Sequence, residues 1–213
     1  FAGRVVLYFE RGEEHGHGDY YMMKYLQDNN IHVDGCFLRN YDDVIVFKGL
    51  RIKELDKGYN QEVSNLPYEH MDLCNYLVEN CVLWCDWGGA LEIGAETVAD
   101  RYTNMVYRNC DILRSDHGAL RIQSGDRAEV SHVLYEDIRV EFSKHDQGHK
   151  LQNADEDTFV PPENWTWYLI RGWIYCNRWS DDGILGNVHD ITYRNIAAYT
   201  DDDSLVPAIS FKG

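Results

Sequence analysis

A four-residue pattern recurs five times along this chain: Val33-Asp34-Gly35-Cys36, Val78-Glu79-Asn80-Cys81, Tyr107-Arg108-Asn109-Cys110, Tyr135-Glu136-Asp137-Ile138 and Tyr193-Arg194-Asn195-Ile196. Each copy is a large apolar residue, two polar ones and then Cys or Ile, and the last positions are separated by 45, 29, 28 and 58 residues. A second pattern follows four of the five copies: Val44-Ile45-Val46-Phe47-Lys48-Gly49, Ala90-Leu91-Glu92-Ile93-Gly94, Ala119-Leu120-Arg121-Ile122-Gln123-Ser124 and Ala208-Ile209-Ser210-Phe211-Lys212-Gly213. In these stretches Ile45/Phe47, Leu91/Ile93, Leu120/Ile122 and Ile209/Phe211 alternate with small or polar residues. That is the period-2 signature of a half-buried strand. Short strands recurring at 28–29 residues with turns between them predict an all-β, parallel β-helix. One coil cannot bury its apolar side alone; stacking at about 4.8 Å lines like residues up into interior ladders.

The Cys/Ile slot then forms one ladder and the Ile/Leu/Phe pairs another. The gaps of 45 and 58 read as a coil plus an insertion. The first insertion is about residues 50–77. The second is about 143–188 and holds Trp165, Trp167, Trp173 and Trp179. Residues 1–213 are thus expected to form one domain of about five coils. Neither end carries an evident cap, so the chain reads as part of a longer one. An α/β fold or a sandwich is the alternative. Tyr20–Leu26 and Glu62–Leu77 suit short helices, but no sustained 3.6-residue period alternates with the strands.

Charge narrows the partners. With 20 Lys+Arg against 36 Asp+Glu, the net charge of −16 argues against nucleic acid, which needs a basic footprint. No run of about 18 apolar residues is present, so no membrane span is expected. The six Cys lack the spacing of a disulfide framework; three sit in the repeat slot, and most are expected to be free and buried. Cys81-x-x-x-Cys85 has no second ligand pair, and His15-Gly16-His17 has no third ligand, so no metal or cofactor is expected.

If the Ile/Leu/Phe residues point inward, their neighbours point outward. Asp42, Asp43, Lys48, Glu92, His117, Arg121 and Gln123 then share one external face. Asp42 and Asp43 can face the same way only from the turn entering the strand. Glu92 and Arg121 become neighbours on stacked coils, either as a cross-strand ion pair or as groove residues. Glycoside hydrolysis calls for such a set: one carboxylic acid protonates the leaving oxygen while a second carboxylate activates water. Closely held carboxyls also push one another's pKa apart, which keeps one protonated.

Asp34-Gly35-Cys36-Phe37-Leu38-Arg39-Asn40-Tyr41-Asp42-Asp43-Val44-Ile45-Val46-Phe47-Lys48-Gly49 resembles the "NC…GDDCIAIKSG" coil of polygalacturonases and their relatives. Gly118-Ala119-Leu120-Arg121-Ile122-Gln123-Ser124-Gly125, with Val130–Arg139 after it, resembles their "RIKT…V.NI.FENI" coil. The likeness covers roughly residues 19–142. It implies a right-handed parallel β-helix of the pectin-lyase-like kind, a carbohydrate substrate, hydrolysis with inversion, and an extracellular or periplasmic location. It further implies Asp42 as the general acid, Asp43 with a third Asp as the activator of water, and Arg121 as a substrate-holding residue. The nearest third Asp is Asp19. The family's active-site His is replaced in Trp87-Gly88-Gly89-Ala90, and His117 lies one coil further on. The family's Lys in "RIK" is Gln123, which points toward a neutral or differently substituted glycan, as does a likeness to the dextranase group. A polysaccharide lyase on the same fold and a non-catalytic glycan-binding β-helix are the alternatives.

Overall fold

The computed structural model describes residues 30–49, 72–145, 149–150, 159–160, 164–177, 180 and 183–213. Among these residues the chain is strand and turn, without an α-helix. The strands are β1 (His32–Asp34), β2 (Phe37–Asn40), β3 (Ile45–Gly49), β4 (Asp72–Glu79), β5 (Val82–Cys85), β6 (Gly89–Thr97), β7 (Arg101–Arg114), β8 (Gly118–Ser124), β9 (Glu129–Phe142), β10 (His149–Lys150), β11 (Phe159–Val160), β12 (Tyr168–Ile174), β13 (Asn187–Thr200) and β14 (Ala208–Lys212).

Two parallel sheets share a core. One has seven strands: β1, β4, β7, β9 and β13 side by side, with β2 and β5 joined to the later part of β7. The other has five, in the order β14-β12-β8-β6-β3. The chain passes from one sheet to the other at each step, from β5 to β6, β7 to β8, and β13 to β14. Among the described residues only the short β10–β11 pair is antiparallel. No described helix is long and apolar enough to cross a membrane.

Register in the five-stranded sheet makes the expected interior rows. Ile45, Leu91, Leu120, Ile170 and Ile209 stand opposite one another, as do Phe47, Ile93, Ile122, Gly172 and Phe211, but Ile209 and Phe211, on the outermost strand of the sheet, are exposed and not interior. Burying a side chain such as Leu91 or Ile93 stabilises by about 1.5–3 kcal/mol. Gly172 interrupts its row because a Cβ there would lie 2.8 Å from Phe211 Cδ1. The seven-stranded sheet carries the Cys/Ile row: Cys110, Ile138 and Ile196 are in register. Beside it Tyr107, Tyr135 and Tyr193 stack, with centroids 4.7 and 5.1 Å apart and planes within 7°. All six cysteines are free; Cys81, Cys85 and Cys110 are buried, whereas Cys176 is exposed.

The third position of the repeated pattern is where the backbone turns left-handed. Gly35, Asn80, Asn109, Asp137 and Asn195 have φ between 49° and 66°. A side chain in this region costs about 1–2 kcal/mol unless it is Gly, or Asn or Asp with a local hydrogen bond. Asn109 Nδ2 donates to Asn80 Oδ1 (2.6 Å), and Asn80 Nδ2 to Asp34 Oδ1 (2.7 Å). A second left-handed position lies five residues earlier, at Asn75, Asn104, His132 and Asp190. Each kink inserts one residue into the alternation, so the buried positions run Tyr102, Met105, Tyr107, Cys110, Ile112 and Val130, Val133, Tyr135, Ile138, Val140.

That 3-2-3-2 spacing explains where sheet and sequence pattern part. Leu73 and Tyr76 are three apart across the Asn75 kink, which resembles a helical step, yet residues 72–77 belong to β4 and not to a helix or an insertion. Likewise β12 lies inside the stretch read as the second insertion and is an integral strand of the five-stranded sheet. Tyr20–Leu26 lies outside the described residues.

The kinks yield a direct expectation. In chemical denaturation, Asn109→Ala should destabilise by about 1–2 kcal/mol from backbone strain, plus the loss of its side-chain bond. Asn109→Gly should cost less, because Gly takes the left-handed conformation freely.

Candidate active site

Asp42 and Asp43 lie in the turn between β2 and β3, not in a strand, and both face the Gly88-Gly89 turn that leads into β6. A Cβ on Gly88 would sit 2.6 Å from Asp43 Oδ1 and 2.7 Å from Asp42 Oδ1; one on Gly89 would collide with Glu92 Oε2. Two consecutive glycines thus open the space in which three carboxyl groups converge. The Asp pair is pinned by its backbone. Asn40 Nδ2 donates to Asp43 O (2.8 Å), Cys85 Sγ to Asp42 O (3.2 Å), and Asp43 N–H to Asp42 Oδ1 (2.9 Å). Gly89 N–H donates to Asp43 Oδ1 (2.8 Å).

Cations and Gln123 complete the cluster. Arg121, directly opposite Glu92 across β6 and β8, places Nη1 3.0 Å from Glu92 Oε2 and 3.8 Å from Asp43 Oδ1. Lys48 Nζ lies 3.2 Å from Glu96 Oε2 and 3.8 Å from Asp43 Oδ2. Gln123 Nε2 donates to Glu92 Oε1.

The carboxyls differ in charge for a physical reason. Burial pushes the Glu92 carboxyl well above its usual range, and the Asp43 charge pushes it further; Arg121, Lys48 and Gln123 offset only part of this. Burial also acts against the Asp43 charge. There Lys48, Arg121, the Gly89 N–H and the neighbouring Glu92 outweigh it, and the group ends below the ordinary aspartate value. The cluster therefore favours the charge on Asp43 over the charge on Glu92.

His117 sits on the turn before β8, its N–H donating to Gly88 O (3.0 Å). Its Nδ1 meets the Trp87 carbonyl and lies 2.8 Å from Asp116 Oδ2, so Nδ1 carries the proton and Nε2 is left as an acceptor. The ring packs edge-on to Trp87 (4.7 Å) and Trp165 (5.4 Å). Burial, aided by the Arg121 charge, lowers its pKa to about 4.

The fold thus brings together Asp42, Asp43, Lys48, Glu92, His117, Arg121 and Gln123. It differs from the expected open face: Glu92 is 1% exposed, Arg121 6% and Gln123 7%. Both sides of β6 and β8 are buried, so these residues line an enclosed cluster. Asp19, like His15 and His17, lies outside the described residues. The sequence pattern missed the strand that carries Arg171 and Trp173, which continue this face on β12 opposite Arg121 and Gln123. Their signal was weak because Gly172 occupies the inward slot between them. It also missed Glu96, the partner of Lys48.

Among the described residues one group of metal-ligand types clusters elsewhere. His32, Asp34 and Glu79 offer atoms within 4.8 Å of one another, but Glu79 is engaged by His32 and Arg108, and Asp34 by Asn80. Comparison with protein-family models, with curated proteins and with solved structures returned no match. Function is therefore read from the site itself.

His117 makes a pH-dependent contribution whose sign follows from its lowered pKa. Between its ordinary value of 6.5 and about 4, the unfolded chain binds a proton that the folded chain does not. Stability must therefore fall as pH drops through that window. In urea denaturation across this range, His117→Gln should show a flatter pH dependence than the parent. An unchanged slope would contradict the buried neutral imidazole.

Proposed function

We propose that this chain is a glycoside hydrolase of the polygalacturonase-like kind, built on a right-handed parallel β-helix and cleaving a poly- or oligosaccharide with inversion. The alternation of the chain between two parallel, in-register sheets supports the β-helix. The observation that carries the chemistry is the set of carboxyls around Gly88-Gly89, whose surroundings push Asp43 below and Glu92 above the ordinary carboxyl range. Pairs of titratable groups pushed apart in this way mark acid–base chemistry.

Asp42 gives its proton to the leaving glycosidic oxygen. Asp43, 13% exposed at its side chain, activates the water that attacks the anomeric carbon. Glu92 is too enclosed to touch substrate and acts on Asp43, supplying a third carboxyl from β6. Arg121 and Lys48 hold Asp43 ionised, and Gln123 holds Glu92 in place. The substrate class carries with it an extracellular or periplasmic place of work.

A second reading draws on the same burial. Glu92 and Arg121 form an enclosed pair of the kind that stabilises sheets without chemistry, which suits a glycan-binding β-helix that does not cleave. Hydrolysis of a glycan panel separates the two. The enzyme reading expects reducing ends from at least one glycan, with inverted anomeric configuration by proton NMR at early times. Asp42→Asn and Asp43→Asn should each lower kcat by about 10²–10⁴ in protein that still folds by circular dichroism, with Asp43→Asn unfolding at a lower denaturant midpoint because Lys48 and Arg121 lose a partner. Full activity in either variant removes that residue from catalysis, and binding without product supports the second reading.

A further inference from the structure

Arg171 lies one strand beyond Arg121 on the same outward row of the five-stranded sheet. The two guanidinium groups have unlike surroundings. Arg121 faces Glu92 and Asp43. Among the described residues Arg171 has no carboxylate within ion-pair distance, and its one hydrogen bond runs from Nη1 to His117 O (3.3 Å). A guanidinium offers five N–H donors in a planar fork suited to carboxylate or sulfate oxygens, so most of its capacity is unused.

Its position also disfavours an unanswered charge. Arg171 is half-buried, and burial together with the like charge of Arg121 lowers its pKa. The fold nevertheless holds it in place by stacking. Its guanidinium lies 4.4 Å from the Tyr168 ring centroid and 4.3 Å from that of Trp173. Among the described residues two further donors on this face lack acceptors: Trp173 Nε1 and Arg121 Nε are both buried without a hydrogen-bond partner. Trp173 also packs against the exposed Tyr175, with centroids 5.2 Å apart, and such rings suit the CH face of a sugar. A half-buried, pre-oriented cation with free donors and flanking aromatics has the chemistry of an anion-recognition site on a carbohydrate-binding face.

We propose that Arg171, framed by Tyr168 and Trp173, binds an anionic substituent, a carboxylate or a sulfate ester, on a sugar unit seated beside Arg121. The site rests on the glycan reading of this face but not on cleavage. Arg171 is here a specificity residue that sorts acidic from neutral glycans.

The test is a titration of ¹⁵N-labelled protein with galacturonate, galactose 6-sulfate, galactose and inorganic sulfate. The indole N–H signal followed is that of Trp173, assigned with Trp173→Phe. At least one acidic sugar should move that signal and bind more tightly than galactose or inorganic sulfate. Its binding should weaken as ionic strength rises. Whichever acidic sugar binds more tightly identifies the substituent. Arg171→Gln should weaken that binding at least tenfold, and Arg171→Lys should restore part of it. Should Arg171→Gln not fold, the ionic-strength dependence and the neutral-sugar comparison in the parent protein decide. Equal binding of galactose, of inorganic sulfate alone, or of the acidic sugar by a folded Arg171→Gln overturns the proposal. Acidic sugars bound with no glycan cleaved would leave this site standing and remove the hydrolase. Cleavage with Arg171→Gln indifferent to glycan charge would do the reverse.

Discussion

In-register parallel pairing of β3, β6, β8 and β12 decides which side chains can meet in this molecule. A one-residue slip would exchange the inward and outward faces of a strand. With the observed register, Ile45, Leu91, Leu120 and Ile170 share the core while Val46, Glu92, Arg121 and Arg171 share the opposite row. The same pairing sets the Asp42-Asp43 turn over Gly88-Gly89, and that turn over His117-Gly118. Residues far apart in sequence thereby become neighbours, and the turns that carry Asp42, Asp43 and His117 are stacked by the strands they join.

Within this frame, room is made by what is missing. Gly88 and Gly89 supply the volume that the Asp42, Asp43 and Glu92 carboxyls occupy, and one Gly89 N–H fixes an Asp43 oxygen. Burial alone would neutralise both Asp43 and Glu92. Asp43 escapes because Lys48, Arg121 and a backbone donor converge on it, whereas Glu92 meets the Asp43 charge as well as Arg121. Charge is thus favoured on Asp43, where the cations and the backbone donor meet, and disfavoured on Glu92. Further along the same face, Arg171 is held by aromatic rings and a carbonyl in place of a carboxylate, which leaves its charge available.

Much of the five-stranded sheet was legible because its strands keep strict period 2, as at Ala90–Gly94 and Ala119–Ser124. The long strands of the other sheet were harder to read. Left-handed kinks at Asn75, Asn104, His132 and Asp190 shift their alternation by one residue, so Leu73 and Tyr76 mimic a helical step. β12 was hidden by Gly172, which yields its inward slot to Phe211. At the site, the Asp pair and its meeting with Glu92 and Arg121 could be foreseen from strand spacing. Enclosure of Glu92 and the place of Arg171 could not, because they depend on how side chains from several strands cover one another.

Opposite protonation of Asp43 and Glu92 is the central physical claim, and a carboxyl ¹³C NMR titration of the two groups tests it directly. Asp43→Asn and Glu92→Gln assign the signals. Glu92 should keep its proton well above an ordinary glutamate's midpoint, while Asp43 should stay ionised below an ordinary aspartate's. Ordinary midpoints for both groups would contradict the account.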